Sequence, residues 1–486
     1  MLELRHENLI GGEWRTSRRR ALVRNPADLR EVLHDYPLAT GDDVAEAVAS
    51  ASRAFGSWRR HPLHEKAAIF RRAADLIRAN RDAIAQVVTS ENGKLLSESL
   101  TEIDSAAMEV DFQVGEGERQ LGSAGDCQKP GLFAFTRKEP LGVVSAIIPW
   151  NFPFNVPFRK LVPALMAGNV AILKPASQTP AVGELVVRIL LEAGLPADVI
   201  QFVTGSGSEL SQSLVALPEI RAVTFTGSTD VGRDIAKRAA ANFTRTQLEM
   251  GGKNPMVVLG DADLDLAARD ATVAAFSCAG QWCTATSRLI VQEEIADDLI
   301  DRILAGTSRI VLGNGTAPGV TMGPVCGEAQ LRDIIGHIDR ARAGEEGKFL
   351  AGGNRSDRQG LEHGCFVEPT IIDHVTAQAP IAKTEVFGPV LAVMRVDSYE
   401  DALQLANDVP YGLSSSIYTR DLDKALHFAE HSEVGLTHVN VHSAYKEPQH
   451  CFGGMKQSGF GLPEAGTSGI QFFQDEKAVY IRKRAA

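Results

Sequence analysis

No two of the six cysteines form a C-x-x-C pair, which argues against a zinc ribbon or a thioredoxin-type redox site. They stand at 127, 278, 283, 326, 365 and 451, a sparse usage that fits a reducing cytoplasm. No apolar run reaches about 18 residues without a charge, so no membrane span is expected. The N-terminal stretch has no apolar signal core. Positive charge is in deficit: 50 Lys and Arg against 61 Asp and Glu leave −11, which disfavours a nucleic-acid partner. The run Arg18-Arg19-Arg20 reads as a solvated loop, and no metal site is expected.

At 486 residues the chain should divide into two or three domains. Residues 40–58, 66–88 and 97–113 carry helical spacing and form an N-terminal layer. Phe133–Arg137, Val143–Ile148 and Ala478–Ile481 read as exposed apolar strands suited to a subunit contact. Strands and helices then alternate through residues 168–261 and again through 262–450. This predicts an α/β fold of two doubly wound parallel sheets, with ligands beyond the carboxyl ends of the strands.

Chemistry concentrates in four stretches. Cys283 lies in Gly280-Gln281-Trp282-Cys283-Thr284, between a helical run and a strand, and acts only as its thiolate. Asn151, between Trp150 and Phe152, can donate to an oxyanion without carrying charge. Glu249 ends an apolar strand before Gly251-Gly252, where desolvation would suit it to general-base work. Glu385 and Phe387 stand in Glu385-Val386-Phe387-Gly388-Pro389. Glycines at strand–helix junctions, Gly205 and Gly207, then Gly227 before Ser228, would let a diphosphate approach helix N-termini. Lys174 ends another strand and can reach a ribose hydroxyl or a phosphate.

The order of these pieces, with Lys174-Pro175-Ala176 and Phe452-Gly453-Gly454-Met455-Lys456, resembles the aldehyde dehydrogenase superfamily from about residue 8 to 482. The resemblance implies an NAD- or NADP-binding domain (1–122 and 146–254) and a catalytic domain (255–452). It also implies a small β oligomerisation element (123–145 and 470–486) and a return segment (453–469), in a homodimer or homotetramer. It assigns Cys283 as nucleophile, Asn151 as oxyanion donor and Glu249 as the base for deacylation. Ile147, Ile148, Trp150, Lys174, Ser177, Gly205, Gly207, Phe225, Gly227, Ser228, Val231, Glu385 and Phe387 fall at its cofactor positions. Phe152, Arg159, Phe452 and Ser443 fall at the small-molecule aldehyde's positions, with His442 and Lys446 nearby.

Arg159 stands where succinic semialdehyde dehydrogenases also carry arginine, and a guanidinium there could grip a distal carboxylate. Ser277 replaces a second arginine of those enzymes, and Thr284–Arg288 looks closer to the α-ketoglutaric semialdehyde dehydrogenases. An anionic semialdehyde is therefore expected, with an uncharged aldehyde as the alternative. A CoA-acylating relative usually lacks the glutamate found here as Glu249. A catalytically silent member would have lost one of Cys283, Glu249 and Asn151.

Ser177 stands where many NAD-preferring relatives carry an acid that repels a 2′-phosphate. NADP should therefore be accepted. Steady-state kcat/KM with both cofactors checks this: NADP within about tenfold of NAD is expected, and a larger NAD preference contradicts it.

Overall fold

Continuous apolar runs set two parallel sheets, because parallel strands are covered on both faces. Val170–Lys174, Ile200–Phe202 and Asn254–Val258 are buried throughout. The computed structural model describes residues 3–482. Met1, Leu2 and residues 483–486, the outer ends of the expected spans 1–122 and 470–486, lie outside the described residues. Among the described residues no helix is long and apolar enough to cross a membrane.

The first sheet runs, in spatial order, Glu13–Arg15, Asn8–Ile10, Ile200–Phe202, Val170–Lys174, Val143–Ile147, Ile220–Thr226, Arg245–Glu249 and Gly459–Phe460. Its five central strands are parallel. The N-terminal hairpin and Gly459–Phe460 close the two edges antiparallel. The chain builds outward from Val143–Ile147 to Ile200–Phe202, then crosses back to lay down Ile220–Thr226. That reversal opens a crevice at the carboxyl ends of Val143–Ile147 and Ile220–Thr226.

Residues 250–253 lead straight from Arg245–Glu249 into Asn254–Val258 of the second sheet. The carboxyl end of one sheet thus feeds the amino end of the other. The second sheet runs Lys348–Ala351, Thr370–Asp373, Val390–Val396, Thr286–Gln292, Asn254–Val258, Ser414–Tyr418 and Leu436–Val439. Only its Lys348–Ala351 edge is antiparallel. A third, antiparallel sheet joins Gln474–Arg482, Leu132–Pro140 and Ala124–Asp126. It leaves Phe133, Tyr480 and Ile481 exposed.

Two expectations need correction, and two features were not anticipated. The helical run 66–88 is two helices, Leu63–Ala79 and Arg81–Asn92. Asn80 breaks it, donating from Nδ2 to Leu76 O at 2.9 Å, so its amide competes for the helical backbone. Val143–Ile147 is no exposed edge; it is central in the first sheet, so the boundary expected at 145/146 cuts a single strand. Asn155–Met166 is a helix that the periodicity did not signal. It is buried on every side and contains Pro163, so it has neither an amphipathic stripe nor helical composition. The strands Lys348–Ala351 and Thr370–Asp373 likewise went unread.

One buried ion pair fastens the helical layer to the site. Lys94 Nζ donates to Glu102 Oε2 at 2.8 Å and to Asn151 O at 2.6 Å, and lies 4.1 Å from the Phe152 ring centroid. Glu102 Oε1 accepts from the N–H groups of Phe154 and Asn155. Glu102→Ala strands the Lys94 cation and should cost about 3–5 kcal/mol. Thermal and urea unfolding check this, and the double variant Lys94→Met/Glu102→Leu should recover most of the loss.

Candidate active site

The turn that carries Cys283 is built against the backbone's preference. After the helix Leu264–Phe276, Cys278 (φ 49°), Ala279 (φ 54°) and Gly280 (φ 68°) are all left-handed. Non-glycine residues there cost about 1–3 kcal/mol each. A Cβ on Gly280 would stand 2.3 Å from Gly388 O, so only glycine fits. Specific bonds hold the turn. Cys278 N–H donates to Glu98 Oε1 at 2.7 Å, and Gln281 Oε1 accepts from Cys326 N–H at 2.9 Å. Asn254 Nδ2 donates to Cys283 O at 2.8 Å and to Ala285 O at 2.9 Å. Cys283 is thereby fixed just before the strand Thr286–Gln292.

Asn151 and Glu249 bond the segments on either side of this sulfur. Asn151 Nδ2 donates to Gln281 O at 3.1 Å, two residues before Cys283, which leaves its second amide hydrogen free. Glu249 Oε2 accepts from Gly454 N–H at 3.1 Å. Burial pushes the Glu249 carboxyl up to about 8, against the pull of Lys160 and Arg159. Burial also pushes the Cys283 thiol up to about 12, which Arg159 opposes. Glu385 Oε1 accepts from Gly252 N–H at 2.9 Å, and burial raises this carboxyl to about 7.

A cavity of about 460 Å³ opens on Cys283. Trp282, Phe152, Phe452, Arg159 and Lys446 are among its walls. Phe152 meets Trp282 edge-to-face at 5.7 Å. Arg159 is not a free guanidinium. Its Nε lies 3.2 Å from Glu464 Oε2, and its plane lies 4.6 Å from the Phe452 centroid. Ser443 does not fit the expected substrate contact. It is fully buried, and its hydroxyl donates to Thr284 O at 2.7 Å and pairs with Thr286 Oγ1. It supports the strand behind the cysteine.

The remaining expected residues line the crevice of the first sheet. Ile147 ends its strand, and Ile148 N–H donates to Lys174 O at 3.0 Å. Lys174 Nζ is buried, bonded to Pro175 O, and within 4.0 Å of where a Gly207 Cβ would lie. Burial lowers its ammonium to about 8. Exposed Ser177 donates to Gly205 O at 3.1 Å. Gly227 leaves no room for a Cβ, which would meet the Phe225 ring at 2.5 Å. Ser228 precedes the helix Thr229–Ala240, with Val231 exposed in its first turn. Trp150 and Phe387 meet edge-to-face at 5.4 Å. The helices Gly207–Val215 and Thr229–Ala240 both start without a side-chain cap. Their first-turn amides are thus open to an anion, and this crevice fits a dinucleotide diphosphate.

Residues 14–479 match the aldehyde dehydrogenase family, and the chain belongs to it. It is an aldehyde-oxidising oxidoreductase that uses NAD or NADP. Among relatives, it is 39% identical to the α-ketoglutaric semialdehyde dehydrogenase of Bacillus subtilis (strain 168), over 98% of both chains. It is 38% identical to the 2,5-dioxopentanoate dehydrogenase of Saccharolobus solfataricus, over 94% of this chain and 95% of that one. Its fold superposes on the Staphylococcus aureus betaine aldehyde dehydrogenase in complex with NAD+. The TM-score is 0.96 at 33% identity, with 99% of this chain and 96% of that one covered.

Lys94, Glu102, Lys160 and Glu464 were missed in the sequence. Glu464 accepts from Lys160 Nζ and, at 3.3 Å, from Thr226 Oγ1. Only Lys160, beside Arg159 in a run of apolar residues, carried a hint. A raised carboxyl also makes a thermodynamic prediction. The folded state holds the Glu249 proton more tightly than the unfolded chain, so this group's contribution to stability falls as pH rises from about 4.5 to about 8. Glu249→Gln removes that loss. Its melting temperature should exceed wild type by several degrees at pH 9 and converge with it at pH 5.

Proposed function

We propose that the chain oxidises an anionic semialdehyde of α-ketoglutaric or succinic type to the corresponding acid. One observation carries the reading. Cys283 opens into a cavity shared with two cationic side chains, Arg159 and Lys446. Asn151 and Glu249 bond two of the segments that wall it, through Gln281 O and Gly454 N–H. The relatives named for α-ketoglutaric semialdehyde and 2,5-dioxopentanoate, two names for one compound, support the substrate class.

In this reading the Cys283 thiol gives up its proton to water, its sulfur adds as the thiolate to the aldehyde carbon, and the carbonyl oxygen becomes an oxyanion. The free Asn151 amide hydrogen and the Cys283 N–H donate to it. Gly205, Gly207, Gly227 and Ser228 would hold the diphosphate of the cofactor. Lys174 and Glu385 would hold its two ribose ends, flanked by Ile147, Ile148, Trp150, Phe225, Val231 and Phe387. The bound nicotinamide supplies the hydride acceptor. Loss of hydride leaves a thioester on Cys283. Glu249 then takes a proton from water as that water attacks the thioester; the C–S bond breaks and the acid leaves. Phe152 and Phe452 keep the site dry. The reading includes a cytoplasmic homo-oligomer joined through the exposed strand Gln474–Arg482.

Single-turnover and steady-state assays test the chemistry. Cys283→Ala should abolish oxidation. Glu249→Gln should still form about one reduced cofactor per subunit in a burst, then turn over about 10²–10⁴-fold more slowly. Wild-type turnover should rise with pH toward about 8, where Glu249 ionises. A Glu249→Gln variant with wild-type turnover would exclude this carboxylate as the base.

A further inference from the structure

We propose that Lys446, rather than Arg159, is the residue that holds the far, anionic end of the aldehyde in the Cys283 cavity. The proposal rests on the functional reading above and names the group that gives it its substrate class. It follows from which charges on the cavity wall are already committed.

The acids there are engaged. Glu102 holds Lys94 and two backbone N–H groups. Glu98 accepts from Cys278 N–H at 2.7 Å and from Leu95 N–H at 2.9 Å. Asp104 binds Arg81 through both oxygens at 2.6 Å. Arg159 is committed as well. It is 5% exposed, its Nε lies 3.2 Å from Glu464 Oε2, and its Cζ lies 4.6 Å from the Phe452 centroid, although its buried Nε and Nη1 make no hydrogen bond. Its charge is already opposed by Glu464 and faced by the Phe452 ring, so a ligand carboxylate would have to share it with them.

Lys446 differs. It lines the same cavity and makes no ion pair or hydrogen bond among the described residues. Its stem sits in the loop between Ser443 and Phe452, and the buried Ser443 anchors that loop to Thr284 O and to Ser414. The cation is therefore placed by a fixed support yet has no partner of its own. A desolvated ammonium without a counter-ion is costly, and a ligand carboxylate would relieve that cost.

The surroundings set the pH range. Arg159, from the helix Asn155–Met166, opposes the Lys446 charge. Glu102 and Glu109, from the helix Leu96–Glu118, and the Cys283 thiol favour it. Burial outweighs them and lowers the ammonium to about 8. Grip on an anion should thus weaken as pH rises through about 8, whereas a neutral aldehyde should not sense this titration in its KM.

Steady-state kinetics with α-ketoglutaric semialdehyde and with pentanal, an uncharged aldehyde of equal chain length, tests the assignment. Lys446→Met should raise KM for the anion by about tenfold or more, with kcat and the pentanal KM within about threefold of wild type. Lys446→Arg should keep the wild-type KM and remove its rise above pH 8. An anion KM unchanged in Lys446→Met, or an equal loss on both aldehydes, overturns the assignment. Wild-type enzyme that oxidises neither aldehyde with NAD or NADP overturns the functional reading, a separate result.

Discussion

A charge at the junction of the two sheets is dry, and a dry charge must find its partner within the chain. This constraint organises the site. Glu102 is satisfied by Lys94 and by the backbone that follows Asn151. Glu464 Oε1 is met by Lys160 from one helix and by Thr226 from the end of a strand, and its Oε2 faces Arg159. Glu385 and Glu249 each take one backbone N–H, from Gly252 and Gly454. Apart from Lys94–Glu102, each bond joins segments far apart in sequence. The polar groups proposed to do the chemistry therefore also hold the sheets, the helical layer and the return strand Gly459–Phe460 in register.

The sequence carried much of this, and the physics explains the division. Parallel strands such as Val170–Lys174 are legible because burial on both faces demands unbroken apolar runs. Cys283, Asn151, Glu249 and Glu385 are legible because each sits in a short stretch of unusual residues. Arg159 was legible as a position but not as a state. Its partner Glu464 lies about three hundred residues away, and nothing local marks that pairing. The helix Asn155–Met166 hid for a related reason: a helix buried on all sides has no amphipathic stripe. Lys94, in the turn before the helix Leu96–Glu118, and Glu102 within it look like ordinary surface residues, and only the tertiary fold turns them inward.

The same dryness sets the resting chemistry. A thiol pushed up to about 12 is protonated at neutral pH and is a weak nucleophile. A carboxyl raised to about 8 is only partly ionised. Burial thus favours neutral forms of these two groups. Positive charge brought into the site would shift that balance: a cation near the sulfur favours the thiolate, as Arg159 already does in part. An oxidised nicotinamide carries such a charge. Substrate charge acts differently. A carboxylate entering the cavity would raise the Cys283 thiol further unless a cation met it at a distance from the sulfur. The wall offers Arg159, which is ion-paired with Glu464, and Lys446, which makes no ion pair among the described residues. On the assignment proposed above, a cation held in the 443–452 loop would compensate the substrate's charge while leaving Arg159 to favour the thiolate. The two basic groups of the cavity would then not be redundant: one would offset the ligand, and the other would tune the sulfur.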